Sequence, residues 1–177
     1  LAEENPTQTV MVNVLGSLNI IRASKEYDVP VTVAISTDKA SRPENVYGYS
    51  KCLMEKMFLE ANTDKNKFAV CRFANVANSN GSVIPYWKKL NSSGLSLRLT
   101  DPKMNRLIFS KEQAASLIGR VVDICNNERG GLVGSYQMKS VNMLDLAQAI
   151  SSDIEIVGRR PGEKIDEDLI SEACHIF

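Results

Sequence analysis

Tyr47 and Lys51 stand four residues apart in "ISTDKASRPENVYGYSKCLMEK", residues 35–56. On a helix that spacing puts both side chains on one face. A lysine ammonium held near a phenol favours the phenolate and draws the tyrosine down from about 10. Such a phenol can take a proton from a hydroxyl as a hydride leaves the same carbon. The spacing alone is common, and a surface tyrosine beside a solvated lysine satisfies it equally. Ser36, Thr37, Asp38 and Lys39 sharpen the reading, because they leave a buried-type strand at its C-terminal end. That edge of a parallel sheet is where ligands bind. A solvated turn is the other reading of Asp38 and Lys39.

The flanking elements must deliver these groups to one place. "VPVTVAIST", residues 29–37, is short, apolar and β-branched, the pattern of a strand buried on both faces. A helix from about Asn45 to Ala61 carries Tyr47 and Lys51 after a loop containing Pro43. An earlier helix fills the segment from Pro6 to Asp28, and residues 67–76 read as a second buried strand. Residues 82–92 read as a helix interrupted near Pro85, and residues 95–99 and 106–110 as short strands. Ser110 caps a strong helix with Glu112 near its positive end. A strand over 132–138, a helix over 142–150, a strand over 154–158 and a final helix from about Asp166 complete the pattern. Strands alternating with helices predict α/β architecture with a parallel sheet.

Composition narrows the class. The 177 residues suffice for a domain with a real core, and 44% hydrophobic with 24% charged content is that of an ordinary globular protein. Lys plus Arg and Asp plus Glu are each 21, so net charge draws the chain to neither nucleic acid nor an anionic membrane. No apolar run approaches the roughly 20 residues of a membrane span. Cys52, Cys71, Cys125 and Cys174 form no C-x-x-C pair, and His175 is the one histidine, so no metal site is expected. Free thiols point to a reducing, cytoplasmic setting.

Five segments appear in order: "NVLGSLNIIRAS", "ISTDKASRPENVYGYSK", "CRFANVANSNGSVIPYWKKL", "LTDPKMNRLIFS" and "GRRPGEKIDEDLISE". Together they resemble the extended short-chain dehydrogenase/reductases, and within them the UDP-N-acetylglucosamine 4,6-dehydratases of polysaccharide and nonulosonic acid biosynthesis. The resemblance implies an NAD(P)-binding Rossmann-like, doubly wound parallel sheet, of which this chain holds the C-terminal part, and a smaller α/β substrate-binding lobe. Residues 1–80 would supply the second half of the Rossmann-like domain. Residues 81–177 would be mainly the substrate lobe, with 106–138 returning partly to the sheet.

The resemblance also implies roles. Tyr47 is the base for oxidation at carbon 4 of the hexose, supported by Lys51, with NADP or NAD as cofactor. Lys39 matches the base that removes the carbon 5 proton and Asp38 the acid that expels the carbon 6 hydroxyl. An adjacent carboxyl and amine can supply two groups of opposed protonation. Ser36 and Asn75 join Tyr47 and Lys51 as cofactor-contacting residues. Thr37, Asn75, Ser82, Val83, Lys89, Arg106, Arg160 and Glu163 match positions that hold the UDP-sugar. An arginine fork suits a diphosphate.

Phe73-Ala74, Asn80, Asn105 and Asp166 depart from the family pattern, which leaves the exact sugar and the stereochemistry at carbon 5 open. The chain contains no glycine-rich dinucleotide loop between a strand and a helix. Together with an opening residue Leu1, this gives the expectation of an internal piece of the enzyme, inactive alone. A nucleotide-sugar 4-epimerase of the same superfamily and a non-catalytic homologue are the alternatives. The apolar residues Leu53, Met54, Met57 and Phe58 make the Tyr47 helix a candidate surface for a homo-oligomer.

Overall fold

Within Lys67–Phe73, alternate residues enter different cores. Phe68 and Val70 join Ile21, Ala34, Met54, Phe58, Ala61 and Val133, whereas Ala69 and Cys71 join Leu117, Val121, Cys125 and Leu132. A strand with apolar residues on both faces must be covered on both, and helices do this.

The computed structural model describes residues 2–160, 162–169 and 174–177. The chain begins with α1 (Pro6–Val10), a π-helical turn (Met11–Leu15) and α2 (Gly16–Glu26), followed by β1 (Val31–Thr37). A 3-10 turn (Asp38–Ala40) leads to α3 (Val46–Ala61), β2 (Lys67–Phe73), β3 (Asn75–Val76) and α4 (Val83–Ser92). Then come β4 (Leu97–Leu99), β5 (Asn105–Phe109), α5 (Lys111–Asn127), β6 (Leu132–Ser135) and β7 (Lys139–Asn142). The last elements are α6 (Met143–Gln148), β8 (Ile154–Ile156) and β9 (Cys174–Ile176). No helix among the described residues is long and apolar enough to cross a membrane.

Two units share these elements. The first takes the described residues up to Phe73, Ala115–Gln137 and those from Asp168 onward. Its sheet is parallel throughout in the order β1-β2-β6-β9, with Ser36 beside Arg72 and Cys71 beside Gly134. Residues of α2 and α3 pack in the cluster on one face and residues of α5 in the cluster on the other. Phe58 and Phe68 meet edge to face at 5.7 Å, an arrangement worth about 0.5–1.5 kcal/mol beyond burial. This is the doubly wound α/β arrangement expected.

The second unit comprises Ala74–Ala114 and the described residues of 138–167. Here β3 pairs parallel and β7 antiparallel with β5, while β4 and β8 form a separate parallel pair. Trp87, Leu97, Leu99, Met104, Met143 and Ala147 form its core. The indole of Trp87 donates to the Arg98 carbonyl at 3.1 Å, so this buried ring keeps its polar atom satisfied.

Several sequence expectations need correction. Residues 67–76 are two strands, because the chain leaves the first sheet after Phe73 and Asn75 pairs with Ile108 of the other. The change of unit therefore falls at Ala74 rather than at 80. Helix α4 is continuous: Pro85 lies in its first turn, where the missing N–H has no helical partner anyway. The strand read over 132–138 stops at Ser135, and β7 follows where none was foreseen. Asp166–Leu169 are not helical, and Cys174–Ile176 pair with β6, so the chain end returns as a strand. Pro161 and residues 170–173 of that segment lie outside the described residues.

Candidate active site

The C-terminal end of β1 builds a compact polar group in the first unit. Thr37 is the extended residue before the 3-10 turn, and its hydroxyl accepts from the Lys39 amide at 3.4 Å. It donates to Asp38 Oδ1 at 2.6 Å. The same oxygen accepts from the Lys39 amide at 2.9 Å and from Lys39 Nζ at 3.1 Å. Asp38 is only 3% exposed. A carboxylate this deep needs donors that favour its charge, and Thr37 and Lys39 supply them. Thr37, read as a sugar contact, thus commits its hydrogen to Asp38. Ser36 is buried beside it, and its Oγ has no hydrogen-bond partner among the described residues.

Tyr47 arrives from the next element. Asn45 caps α3 by accepting from the Gly48 amide at 2.8 Å, and Glu3 Oε1 accepts from the Val46 amide at 2.6 Å. Both interactions stabilise the positive end of the helix. Gly48 allows the closest approach: a Cβ there would lie 2.6 Å from the Lys39 carbonyl oxygen and 3.3 Å from Pro43 Cα. Tyr47 is carried to the Asp38–Lys39 turn by this contact.

Burial raises the Tyr47 phenol above its ordinary value; the Lys39 ammonium opposes that and the Asp38 carboxylate adds to it. Of the two charges that act on the phenol, Lys39 is the one that favours its ionised form. Lys51 Nζ donates to the Ile35 carbonyl at 2.9 Å. Burial lowers the Lys51 amine, and the Glu55 carboxylate one turn on opposes this.

The second unit holds the residues matched to the sugar nucleotide. Asn75 Nδ2 donates to the Leu107 carbonyl at 3.0 Å and to Glu167 Oε2 at 2.8 Å. Arg106 lies 3.4 Å from Glu167 and 3.5 Å from Glu163, and also donates to the Asn105 and Ile165 carbonyls. Glu163 accepts from the Arg160 amide at 3.1 Å. Asn75, Arg106, Glu163 and the Arg160 backbone therefore form one chain of contacts, with the Arg160 side chain exposed. Ser82 precedes α4 with Oγ buried and without a hydrogen-bond partner among the described residues. Val83 packs on the Trp87 core, and Lys89 is exposed in the last turn.

Sequence reasoning missed Gly48, Glu55, Arg72 and Glu167. Arg72 carried a usable signal, since an arginine inside "KFAVCRF" must find a buried partner. Glu55 lies four residues beyond Lys51, on the same face. Glu167 carried none.

Comparison with known proteins matches residues 1–175 to the family described as polysaccharide biosynthesis protein. An uncharacterized membrane protein of Methanocaldococcus jannaschii is 38% identical over 97% of this chain and 56% of its own length. A UDP-N-acetylglucosamine 4,6-dehydratase (inverting) of Campylobacter jejuni is 37% identical over 97% of this chain and 52% of its own. The X-ray structure of Pen from Bacillus thuringiensis superposes with a TM-score of 0.89 at 28% identity, covering 96% of this chain and 56% of that one. The chain thus spans about half the length of the curated relatives it matches. It belongs to the polysaccharide biosynthesis protein family, within the extended short-chain dehydrogenase/reductases.

Proposed function

We propose that the chain is the catalytic and sugar-nucleotide-holding portion of an NAD(P)-dependent UDP-N-acetylglucosamine 4,6-dehydratase serving bacterial surface polysaccharide or nonulosonic acid synthesis. The observation that carries this reading is the Asp38–Lys39 contact at 3.1 Å, beside a phenol that feels both charges. A 4-epimerase needs the tyrosine but no acid to expel the carbon 6 hydroxyl.

The residues present fit a nicotinamide ribose. The buried Ser36 hydroxyl, without a partner among the described residues, adjoins the Ile35 carbonyl that holds Lys51 Nζ. Ser36, Tyr47 and Lys51 hold the cofactor in this reading, and it supplies hydride acceptance at carbon 4 and return at carbon 6. Asn75, whose amide hydrogens serve Leu107 and Glu167, keeps only Oδ1 for a ligand. Arg160 offers its exposed fork to the diphosphate; Arg106 reaches a phosphate only by releasing Glu163 or Glu167. Ser82, Val83 and Lys89 line the uridine side.

Proton accounting follows from the pair. Tyr47 takes the proton of the carbon 4 hydroxyl. In the ion pair, Lys39 holds a proton and Asp38 does not, the reverse of what elimination requires. One proton crossing the existing hydrogen bond yields a neutral amine and a carboxylic acid, which burial of Asp38 favours. Lys39 then accepts the carbon 5 proton while Asp38 gives its own to the departing carbon 6 hydroxyl, forming water. When hydride returns to carbon 6, the Lys39 ammonium, exchanged with solvent, gives a proton to carbon 5, and the proton held by Tyr47 restores Lys39, so the ion pair and the phenolate end as they began.

The test is to give UDP-N-acetylglucosamine and NADP to the gene product that carries this chain and follow the sugar by NMR in deuterium oxide. A 4-keto-6-deoxy product with solvent deuterium at carbon 5 is expected. Lys39→Met is expected to oxidise carbon 4 more slowly and stop there, accumulating reduced nicotinamide. Epimerised product without loss of water would refute the reading. With no glycine-rich loop in the 177 residues, those residues alone are expected to bind NADP weakly and turn over nothing measurable.

A further inference from the structure

Two charged side chains lie deep in the first unit, where the apolar pattern calls for none. Arg72 on β2 is 2% exposed and Glu55 on α3 is 4% exposed. Arg72 Nε donates to Glu55 Oε1 at 3.0 Å and Nη2 to Oε2 at 2.5 Å, two parallel bonds of a forked pair. The remaining nitrogen donates to the Leu169 carbonyl at 2.7 Å, and Ser135 Oγ donates to the Arg72 carbonyl at 2.9 Å. Burying such a pair gains little stability over well-packed apolar residues, so its use lies in geometry.

That geometry bears on the site. Tyr47, Lys51 and Glu55 follow one another at four-residue intervals along one face of α3. Lys51 bonds the Ile35 carbonyl of β1, and one turn later Glu55 grips Arg72, the register partner of Ser36. Apolar packing has no direction, whereas a forked pair tolerates little rotation of the helix. We infer that Glu55 is a positioning residue for Tyr47 and Lys51: clamped by Arg72, it fixes the rotation of α3, the helix that carries both.

The charges around Lys51 divide clearly. Glu55 on α3 is the one that acts on it, against the effect of burial. β1 offers the Ile35 carbonyl, and Asp38 and Lys39 in the 3-10 turn act on Tyr47. Arg72 on β2 is taken up by Glu55, with Cys52 of α3 and Cys174 of β9 also within its electrostatic reach. The inference rests on Tyr47 and Lys51 being the reacting pair. A Lys51 that answers to Glu55 in a protein that oxidises no sugar would sink that reading and leave this contact standing.

Lysine-labelled chain, with the Lys51 signal assigned by Lys51→Arg, reports the amine's titration by NMR without turnover. Glu55→Gln is expected to move the Lys51 midpoint to lower pH. Glu55→Asp, which withdraws the carboxylate by one methylene, gives a smaller shift in the same direction. The double variant Glu55→Leu with Arg72→Met replaces the pair by apolar volume and carries the test if Glu55→Gln does not fold. It is expected to fold and still show the lowered midpoint, whereas a purely structural pair would leave Lys51 as in the wild type. A wild-type Lys51 midpoint in a folded variant without Glu55 overturns the inference.

Discussion

Replacing Gly48 by alanine tests the contact that brings the tyrosine helix to the Asp38–Lys39 turn. The new Cβ would lie 2.6 Å from the Lys39 carbonyl oxygen, so reaching a tolerable 3.0–3.4 Å demands a retreat of 0.4–0.8 Å. The Lys39 oxygen and Pro43 Cα are backbone atoms and cannot swing aside as a side-chain end could. Overpacking of this kind costs about 1–3 kcal/mol, and alanine returns about 1 kcal/mol of helix propensity. The net loss is about 0–2 kcal/mol, a fall in melting temperature of no more than about 8 °C for a chain of this length. The larger effect falls on chemistry. As Tyr47 recedes with its helix, the Lys39 charge that favours the phenolate weakens more than the smaller opposing effect of Asp38. With the phenol still buried after so small a retreat, the Tyr47 midpoint is expected to rise. Ultraviolet difference titration reads this, with Tyr47→Phe identifying the signal among the five tyrosines. In the complete enzyme a displacement of this size costs about tenfold in rate. An unchanged or lower Tyr47 midpoint in Gly48→Ala would refute the reasoning.

The charges can also be removed directly: Lys39→Met is expected to raise the Tyr47 midpoint and Asp38→Asn to lower it, by the same titration. Phe58→Ala removes a ring that meets Phe68 in the core and is expected to destabilise the chain by about 3–5 kcal/mol in urea unfolding. Ser110 and Gln113 bond each other's backbone amides at the start of α5, and Ser110→Ala is expected to lose about 1 kcal/mol by the same measurement. Burial pushes the Cys71 thiol from 9.0 up to about 12. Its folded value lies above the unfolded one, so the associated stability is complete below pH 9 and is lost as pH rises toward 12. Unfolding midpoints that hold steady across that interval relative to Cys71→Ala would contradict this.

The legible parts of this chain were those whose physics is local. The continuous apolar runs in residues 29–37 and 67–76, read as buried strands, and the Ser110 cap of α5 each follow from neighbours in sequence, and the structure has β1, β2 and the cap. What escaped depends on partners far along the chain. β9 exists because the β6 backbone is there to pair with, and Cys174–Ile176 alone cannot announce it. The break at Ala74 is invisible within ten β-prone residues, because it arises from two different sheets claiming the two halves. At the site, residue types were readable and their pairing was not. Spacing pointed to Lys51 beside the phenol, and the Lys39 charge that acts on it from the 3-10 turn could not be read from spacing.

The Lys39 contribution bears on how the proposed reaction is ordered. Lys39 both favours the Tyr47 phenolate and bonds Asp38, so its charge state touches both proton transfers. While it is an ammonium, it favours the Tyr47 phenolate, the form that can take the carbon 4 proton. Once Tyr47 has that proton, the phenol is neutral and no longer needs the cation. Lys39 can then pass its proton to Asp38 and become the base that elimination requires. A single amine thereby makes oxidation precede dehydration. The ordering predicts that Asp38→Asn, which removes the carboxylate that takes the Lys39 proton in this reading, lets the sugar reach the 4-keto stage and halts it before water is lost. Reduced nicotinamide would then accumulate to the concentration of sites in one turnover. Steady formation of the 6-deoxy product by Asp38→Asn would break the link between the two steps.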